Sequence, residues 1–317
     1  MYDIIVVGGG PAGMTAALYA LRYGKSVLVI EKAGFGGQIT HSPRVENFPG
    51  TLSMSGNEFA EKMLDQILHQ GAEIEFENVT EVKKTEDNKN ADTACGRFTV
   101  RTEEGSLFEA GAVILATGVH HRLLGIPGEE DFTGEGISYC AVCDGDFYAG
   151  RKVCVVGGGD AALQEAILLS EKCSEVHVLH RRPYFTAEQK LQDALLSRPN
   201  VRTTMEAKVT GFMTADDGSF AGVEIESTAS GAEGGKQTVA CDGLFVSIGQ
   251  IPENGPFAEL AKLDPKGYFD ADERCLTETP GLFIAGDCRR KEVRQLSTAV
   301  ADGAVAALAA CRYLSLQ

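Results

Sequence analysis

Two stretches of the chain read "VVGGG", at residues 6–10 and 155–159, each with an apolar strand pattern before it and a helical pattern after it. A second Val-rich strand follows each helix. Together they predict an α/β fold of two Rossmann-like dinucleotide-binding domains, the second inserted into the first. The length of 317 residues agrees, because one hydrophobic core rarely serves a chain that long.

The repeat is gapless. "DIIVVGGGPAGMTAALYALRYGKSVLVIEK" begins at Asp3, and "KVCVVGGGDAALQEAILLSEKCSEVHVLHR" begins at Lys152. Its turns are Gly8-x-Gly10-x-x-Gly13 and Gly157-x-Gly159-x-x-Ala162. The first Gly of such a turn permits a tight bend, the second lets a pyrophosphate approach the backbone, and the third lets helix and strand pack closely. The helix start then offers free N–H groups to phosphate.

The second strands end differently. Glu31 closes the first, where a carboxylate accepts hydrogen bonds from ribose hydroxyls. His180, Arg181 and Arg182 close the second, where a guanidinium suits a 2′-phosphate. The first turn therefore predicts an adenine dinucleotide with a free ribose, and the second predicts NADPH.

Between the repeats, a helix is predicted over about 56–70, followed by strands in "AEIEFENVTEVKK", "RFTVRTEEG" and "LFEAGAVILATG". The polar tract "TEDNKNADTACG" reads as a surface loop. After the second repeat come "AKVTGFMTADDGSFAGVEIES", a flexible "TASGAEGGK", "GLFVSIGQIP", "PGLFIAGDCRR" and a C-terminal helix over about 295–314. The outer domain is then residues 1–117 with 247–317, and the inner domain is 118–246. The crossings fall at "ATGV" and "SIGQ", where glycines permit hinging.

A net charge of −16 repels phosphate backbones and argues against nucleic-acid binding. No stretch approaches a membrane span in length, and "MYDIIVVGGG" lacks the pattern of a signal peptide, so a cytoplasmic protein is expected. Nine Cys in such a chain are expected to be mostly free thiols.

The one Cys-x-x-Cys is Cys140 and Cys143, in "ISYCAVCDGDFY". Three readings exist: half of a zinc site, a structural disulfide, or a dithiol that opens and closes. No second Cys-x-x-Cys is present to complete a Cys₄ site, and no metal is expected. Cys154 and Cys173 stand in apolar contexts and read as core thiols, and Cys288 is given a packing role. Asp144 follows the pair at once. A carboxylate in a partly apolar pocket holds its proton longer and can pass it to a departing thiolate; the plainer reading is a turn residue before Gly145.

With "GGGPAG", "GGQITHSPRVENFPG", "ILATG", "YCAVCDGDFY", "VVGGGDAA", "HRR" and "LFIAGDCRRKEVRQLSTAVADGAVAA" in order, the chain resembles the bacterial-type, low-molecular-weight thioredoxin reductases over nearly its whole length. The position of "CAVCDG" inside the inner domain is the most specific of these features. The resemblance implies a homodimer with FAD in the outer domain and NADPH in the inner one. It implies FAD contacts at Gly8, Gly10, Pro11, Ala12 and Gly13, at Glu31 and Lys32, and at Gly37, Gln38 and Asn47. It extends them to Val82, to Ala116, Thr117 and Gly118, and to Gly286 and Asp287, the latter near the ribityl chain. Arg294, Gln295 and Leu296 would approach the flavin ring. Gly157, Gly159, Asp160, Ala161, His180, Arg181 and Arg182 would serve NADPH. Thr186 departs from the family pattern where a further Arg is frequent, and Ala161 where Ser or Thr is common.

The implied electron path runs from NADPH through FAD to Cys140–Cys143, and on to the disulfide of thioredoxin or a similar small protein. Cys143 would face the flavin and Cys140 would attack the partner. The pair must meet both flavin and partner, and rotation about the two crossings would serve both demands. Three alternatives remain open at this point: a flavoprotein fed by ferredoxin or another donor, a dithiol oxidase, and a non-catalytic redox sensor.

Overall fold

In the computed structural model of the protein, residues 1–85, 97–229 and 235–317 are described. Cys95, most of the polar tract around it and the centre of "TASGAEGGK" fall outside them. The described chain divides into two compact units, Met1–His120 with Ile251–Gln317, and His121–Gln250.

Strand β1 (Tyr2–Val7) is an apolar run whose last four residues are buried. It runs into the first Gly turn and helix α1 (Pro11–Arg22), where Gly10 is the N-cap and Pro11 occupies the first helical position. Proline is tolerated there because that N–H has no intrahelical partner. Strand β2 (Val27–Ile30) lies parallel to β1, with Ile4 opposite Val27. Helix α2 (Gly56–His69) is started by Ser55, whose hydroxyl accepts from Glu58 N at 3.0 Å.

Strands β3 (Glu73–Glu75) and β4 (Val79–Lys84) come next. The sequence pattern reads them as one strand; in the fold, β3 pairs parallel with β2 while β4 pairs antiparallel with the next strand. Strands β5 (Phe98–Thr102), β6 (Leu107–Leu115) and β7 (Val119–His121) complete this part of the chain.

The inner unit begins with β8 (Ile137–Ser138) and the one-turn helix α3 (Ala141–Asp144). The second repeat follows as β9 (Lys152–Val156), α4 (Asp160–Ser170) and β10 (Glu175–Leu179), then α5 (Gln189–Leu196) and β11 (Val201–Thr204). Strands β12 (Ala207–Thr214), β13 (Phe220–Ser227), β14 (Gln237–Ala240) and β15 (Gly243–Val246) close it. The chain returns through β16 (Gln250–Pro252) and ends in β17 (Leu282–Ile284) and α6 (Leu296–Ser315).

The outer unit is built on a seven-stranded sheet of order β3-β2-β1-β6-β5-β4, with β17 paired to β6. β6 is long enough for two neighbours on one edge: Leu107–Ala110 pairs antiparallel with β5, and Val113–Leu115 pairs parallel with β17. β1 and β6, central in this sheet, are near-continuous apolar runs, as strands buried on both faces must be. Small residues let α1 and α6 approach closely: a Cβ at Gly303 would stand 2.2 Å from the Ala12 carbonyl oxygen.

The inner unit has a five-stranded parallel sheet of order β11-β10-β9-β15-β8 and a separate antiparallel sheet β12-β13-β14. Both units are thus α/β with a parallel sheet and a Gly turn after a central strand. The crossings lie slightly downstream of residues 118 and 247, because Val119–His121 and Gln250–Pro252 stay extended and pair with each other as a two-stranded sheet. Gly118 and Gly249, both at positive φ (68° and 110°), make the bends that precede them.

Candidate active site and nucleotide-binding turns

The Cys pair sits just past the C-terminal end of β8, the end at which open parallel sheets bind ligands. Cys140 and Cys143 form a disulfide with their Cα atoms 5.3 Å apart. Cys140 is extended and caps α3, its Sγ accepting from Cys143 N at 3.2 Å. Ala141 is buried while Val142 is 58% exposed, so the turn is anchored on one side and open on the other.

Ser138, which the sequence reading did not single out, ties the turn together. Its hydroxyl accepts from Cys140 N at 3.1 Å and donates to Asp144 Oδ2 at 2.6 Å. Asp144 Oδ1 is buried with no hydrogen-bond partner. Burial pushes the Asp144 carboxyl above its usual range, and the Ser138 bond only partly opposes it. An acid held this way keeps a proton closer to neutral pH and stands one residue from Cys143 and four from Cys140, placed to deliver it to a thiolate. Asp144→Asn is expected to slow disulfide exchange with a protein partner on the order of a hundredfold or more, and to remove one inflection from the pH–rate profile; stopped-flow kinetics across pH checks this.

Glu129 is a second residue that sequence reading had no reason to choose. Its buried carboxylate accepts from Leu124 N and Gly125 N at 2.9 Å each, and from the hydroxyl of Tyr139 at 3.0 Å. The His121 ring stacks on Tyr139 at 4.9 Å. The residue before Cys140 is therefore fixed from two sides.

The inner Gly turn is compact below and open above. A Cβ at Gly157 would lie 2.4 Å from the Ser247 carbonyl oxygen, whereas one at Gly159 would meet nothing nearer than Thr186 Oγ1 at 3.8 Å. Thr186 is locked to the turn through its N–H and hydroxyl, both donating to the Gly158 carbonyl oxygen at 2.7 and 3.2 Å. Asp160 Oδ1 accepts from Glu188 N at 2.8 Å. Arg181, Arg182 and Ala161 are exposed. His180 is buried against Gly158, and its Nε2 has no hydrogen-bond partner. Burial depresses the His180 imidazole, so it is neutral at pH 7.

The outer turn repeats this design. A Cβ at Gly8 would lie 2.4 Å from the Ala116 carbonyl oxygen and one at Gly13 only 1.9 Å from that of Gly8, but at Gly10 nothing stands nearer than 3.9 Å. Glu31 accepts from Gly9 N at 2.6 Å and from Ala33 N at 2.9 Å, which orients its carboxylate beside the turn. Lys32 pairs with Glu253 at the surface. Gly37 and Gln38 are exposed on a 3₁₀ turn, Gly37–His41. Val82 packs its side chain into the core from edge strand β4. Ala116, Thr117 and Gly118 follow β6, and the Thr117 hydroxyl donates to Asn254 Oδ1 at 3.0 Å.

The C-terminal site residues come together around the start of α6. Gln295 is its N-cap in a reciprocal capping box with Thr298, and Asn47 Nδ2 donates to Gln295 Oε1 at 3.4 Å. Leu296 opens the helix half-buried. Arg294 stacks over Tyr268 at 4.2 Å and donates to the Asp287 carbonyl oxygen at 3.4 Å. Asp287, next to Gly286, pairs with Lys291 Nζ at 2.9 Å. Lys291 also reaches Asp302 Oδ2 at 3.1 Å, and Asp302 binds Arg289 twice at 2.9 Å and accepts from Gly286 N at 3.1 Å. Sequence reading placed Asp287 here but missed Lys291, Arg289 and Asp302.

The two open Gly turns fit dinucleotides: each leaves room for a phosphate where a side chain would otherwise stand, at the N-terminus of a helix of eleven or twelve residues. The sequence profile of the pyridine nucleotide-disulphide oxidoreductases matches residues 2–303. The chain belongs to that family. The family's description joins a pyridine nucleotide to a disulfide; the inner unit carries a disulfide and an open Gly turn. Among curated proteins, the chain is 38% identical over 314 residues to the thioredoxin reductase of Listeria monocytogenes, covering 99% of this chain and 94% of that one. It is 39% identical over 318 residues to that of Treponema pallidum, covering 99% and 97%. Among solved structures, a thioredoxin reductase from Streptococcus pyogenes superposes with a TM-score of 0.92 at 38% identity, over 100% of this chain and 99% of that one.

The other cysteines of the described structure are out of reach. Cys154, Cys173, Cys241, Cys275, Cys288 and Cys311 are free and buried. Cys288 Sγ donates to the Ala285 carbonyl oxygen at 3.2 Å, in keeping with a packing role. Among the described residues, no group of three His, Cys, Asp or Glu is placed to hold a metal ion, and no helix is long and apolar enough to cross a membrane.

Proposed function

We propose that this oxidoreductase uses NADPH to reduce the disulfide of thioredoxin or a thioredoxin-like protein. The observation that carries this reading is the Cys140–Cys143 disulfide on a half-open turn at the ligand end of the inner parallel sheet, with a proton-retaining Asp144 beside it. FAD, bound at the outer unit, supplies the two-electron relay between nicotinamide and disulfide. The chain's own residues do the rest. The Gly8–Gly13 turn and the start of α1 hold pyrophosphate, Glu31 takes ribose hydroxyls, and the strip Asp287–Leu296 orients the flavin end. The Gly157–Ala162 turn holds NADPH, with Arg181 and Arg182 at the 2′-phosphate. Once the pair is reduced, the Cys140 thiolate attacks the partner disulfide. Cys143 resolves the mixed disulfide and Asp144 handles the proton. A cytoplasmic homodimer is the assembly proposed for this activity.

Anaerobic titration of the purified protein with NADPH, and separately with NADH, tests the reading. Bleaching of the flavin band at low NADPH, continuing beyond the first two electrons, is expected. If neither nucleotide bleaches it while reduced ferredoxin does, the donor assignment fails. Replacing Arg181 by Ala is expected to raise KM for NADPH about ten- to hundredfold and leave KM for NADH unchanged, since one lost charge-assisted bond is worth roughly 1.5–3 kcal/mol. Steady-state kinetics with both nucleotides reads this directly.

A further inference from the structure

The antiparallel sheet β12-β13-β14 is separate from the parallel sheet that carries the Gly turn and the Cys pair. Its open end, where Ala207 lies opposite Ser227, meets the chain just past β10. Three successive carbonyl groups there accept hydrogen bonds from it. The His180 carbonyl oxygen accepts from Ala207 N at 2.9 Å, that of Arg181 from the Thr228 hydroxyl at 2.7 Å, and that of Arg182 from Glu206 N at 3.2 Å.

Glu206 makes this possible at a cost. It stands between β11 and β12 with φ at 51°, the left-handed region that a Cβ disfavours. Among the described residues only Cys275 shares that condition without being glycine. The conformation is fixed from two sides, because the Glu206 N–H goes to Arg182 and its carbonyl oxygen accepts from Thr228 N at 2.7 Å. Backbone strain of this kind persists where the surroundings over-determine it, and it gathers at ligand clamps. The far end of the same segment is tied to the Gly turn, with Thr186 N and Ala187 N donating to the Gly158 carbonyl oxygen at 2.7 and 3.2 Å. Between these ties the side chains of Arg181 and Arg182 are exposed.

We infer that Thr228 is a positioning residue for the 2′-phosphate of NADPH: together with the strained turn at Glu206 it holds the backbone of Arg181 and Arg182, and so fixes the directions from which the two guanidinium groups reach that phosphate. The inference rests on the proposed reading of the arginine pair. A carbonyl held in place restrains the backbone dihedrals beside it, and with them the Cα–Cβ direction of the side chain. A segment ordered before its ligand arrives loses less freedom on binding. Two cations on a loose loop would attract any anion; held at fixed angles, they favour a phosphate at one place, where the planar guanidinium can form paired bonds.

The test is calorimetric titration of the intact, oxidised protein with 2′,5′-ADP, and separately with 5′-AMP, which lacks the 2′-phosphate. Neither ligand donates electrons, so the flavin and the disulfide stay outside the readout. Thr228 is exposed, and replacing it leaves the apolar core untouched. Thr228→Val keeps the shape and removes the hydroxyl. It is expected to weaken 2′,5′-ADP about three- to tenfold, the worth of one hydrogen bond, and to leave 5′-AMP unchanged. Thr228→Ser, which keeps the hydroxyl, is expected to bind both as the wild type does. Wild-type affinity of Thr228→Val for 2′,5′-ADP overturns the inference, and so does an equal loss for both ligands. Arg181→Ala separates the two failures. If it weakens 2′,5′-ADP while Thr228→Val does not, only the positioning role falls. If the wild type binds 2′,5′-ADP no better than 5′-AMP and Arg181→Ala changes nothing, the reading of the arginine pair falls and takes the inference with it.

Discussion

Serine in place of either Cys140 or Cys143 stops thioredoxin reduction, with an expected loss on the order of 10³-fold or more. The argument is one of supply. The six other cysteines of the described structure are buried, so none of those six can reach a protein partner. Hydroxyls are neither ionised at neutral pH nor able to carry electrons as a disulfide. The two variants should nevertheless differ. In the exchange, the Cys140 thiolate forms a new S–S bond to one partner sulfur while the partner's own S–S bond breaks and its other sulfur leaves as thiolate. Cys143 then attacks Cys140 Sγ, re-forming the internal disulfide and releasing the reduced partner. With Cys143→Ser the second step is missing, and a covalent mixed disulfide with thioredoxin accumulates. With Cys140→Ser no such adduct forms at that position. Non-reducing electrophoresis distinguishes the two. An adduct through Cys143 instead would reverse the assigned roles while leaving the activity itself standing.

Asp302→Ala is expected to destabilise the protein by about 3–5 kcal/mol, the cost of removing one partner from a buried ion pair. Asp302 is 6% exposed and Arg289 3%, and the Lys291 side chain is 5% exposed. Burial works against the Arg289 charge, but hydrogen bonds to Asp302 and Glu273 outweigh it and hold the proton on firmly. Removing Asp302 leaves two buried cations sharing little more than Asp287 and the largely exposed Glu273. It also strips the Gly286 N–H of its acceptor, in the backbone that presents Asp287. Urea denaturation should show the loss in midpoint, and weakened retention of flavin on dilution should accompany it. A variant as stable as the wild type would mean that water enters the cluster and solvates the stranded charges.

Much of the site was legible because its signals are local. A Gly turn needs positive φ and no Cβ, and the sequence spells that at Gly8 and Gly157 without reference to anything distant. The strand–turn–helix setting follows from hydrophobic period, and the Cys-x-x-Cys spacing from the geometry of one helical turn. Glu31 and the Arg pair were chosen by counting to the end of a strand. The strand reading of residues 72–84 missed the break for a related reason: apolar residues recur along the whole stretch, and only the pairing partners separate β3 from β4.

The sequence by itself determined the α/β class, the duplicated Gly turns between strand and helix, and the Cys-x-x-Cys pair. Tertiary structure decided which groups surround the chemistry. Ser138 meets Asp144, Lys291 bridges Asp287 and Asp302, and Glu129 accepts from Tyr139 beside Cys140. None of these follows from spacing, because a serine, a lysine or a glutamate carries the same local propensity whether it ends in water or in the core. Backbone conformation is set mainly by neighbours in the chain, whereas desolvation and charge pairing depend on what folds on top. The Cys pair can therefore be found by reading, but the burial that holds a proton on Asp144 beside it is decided only by the fold.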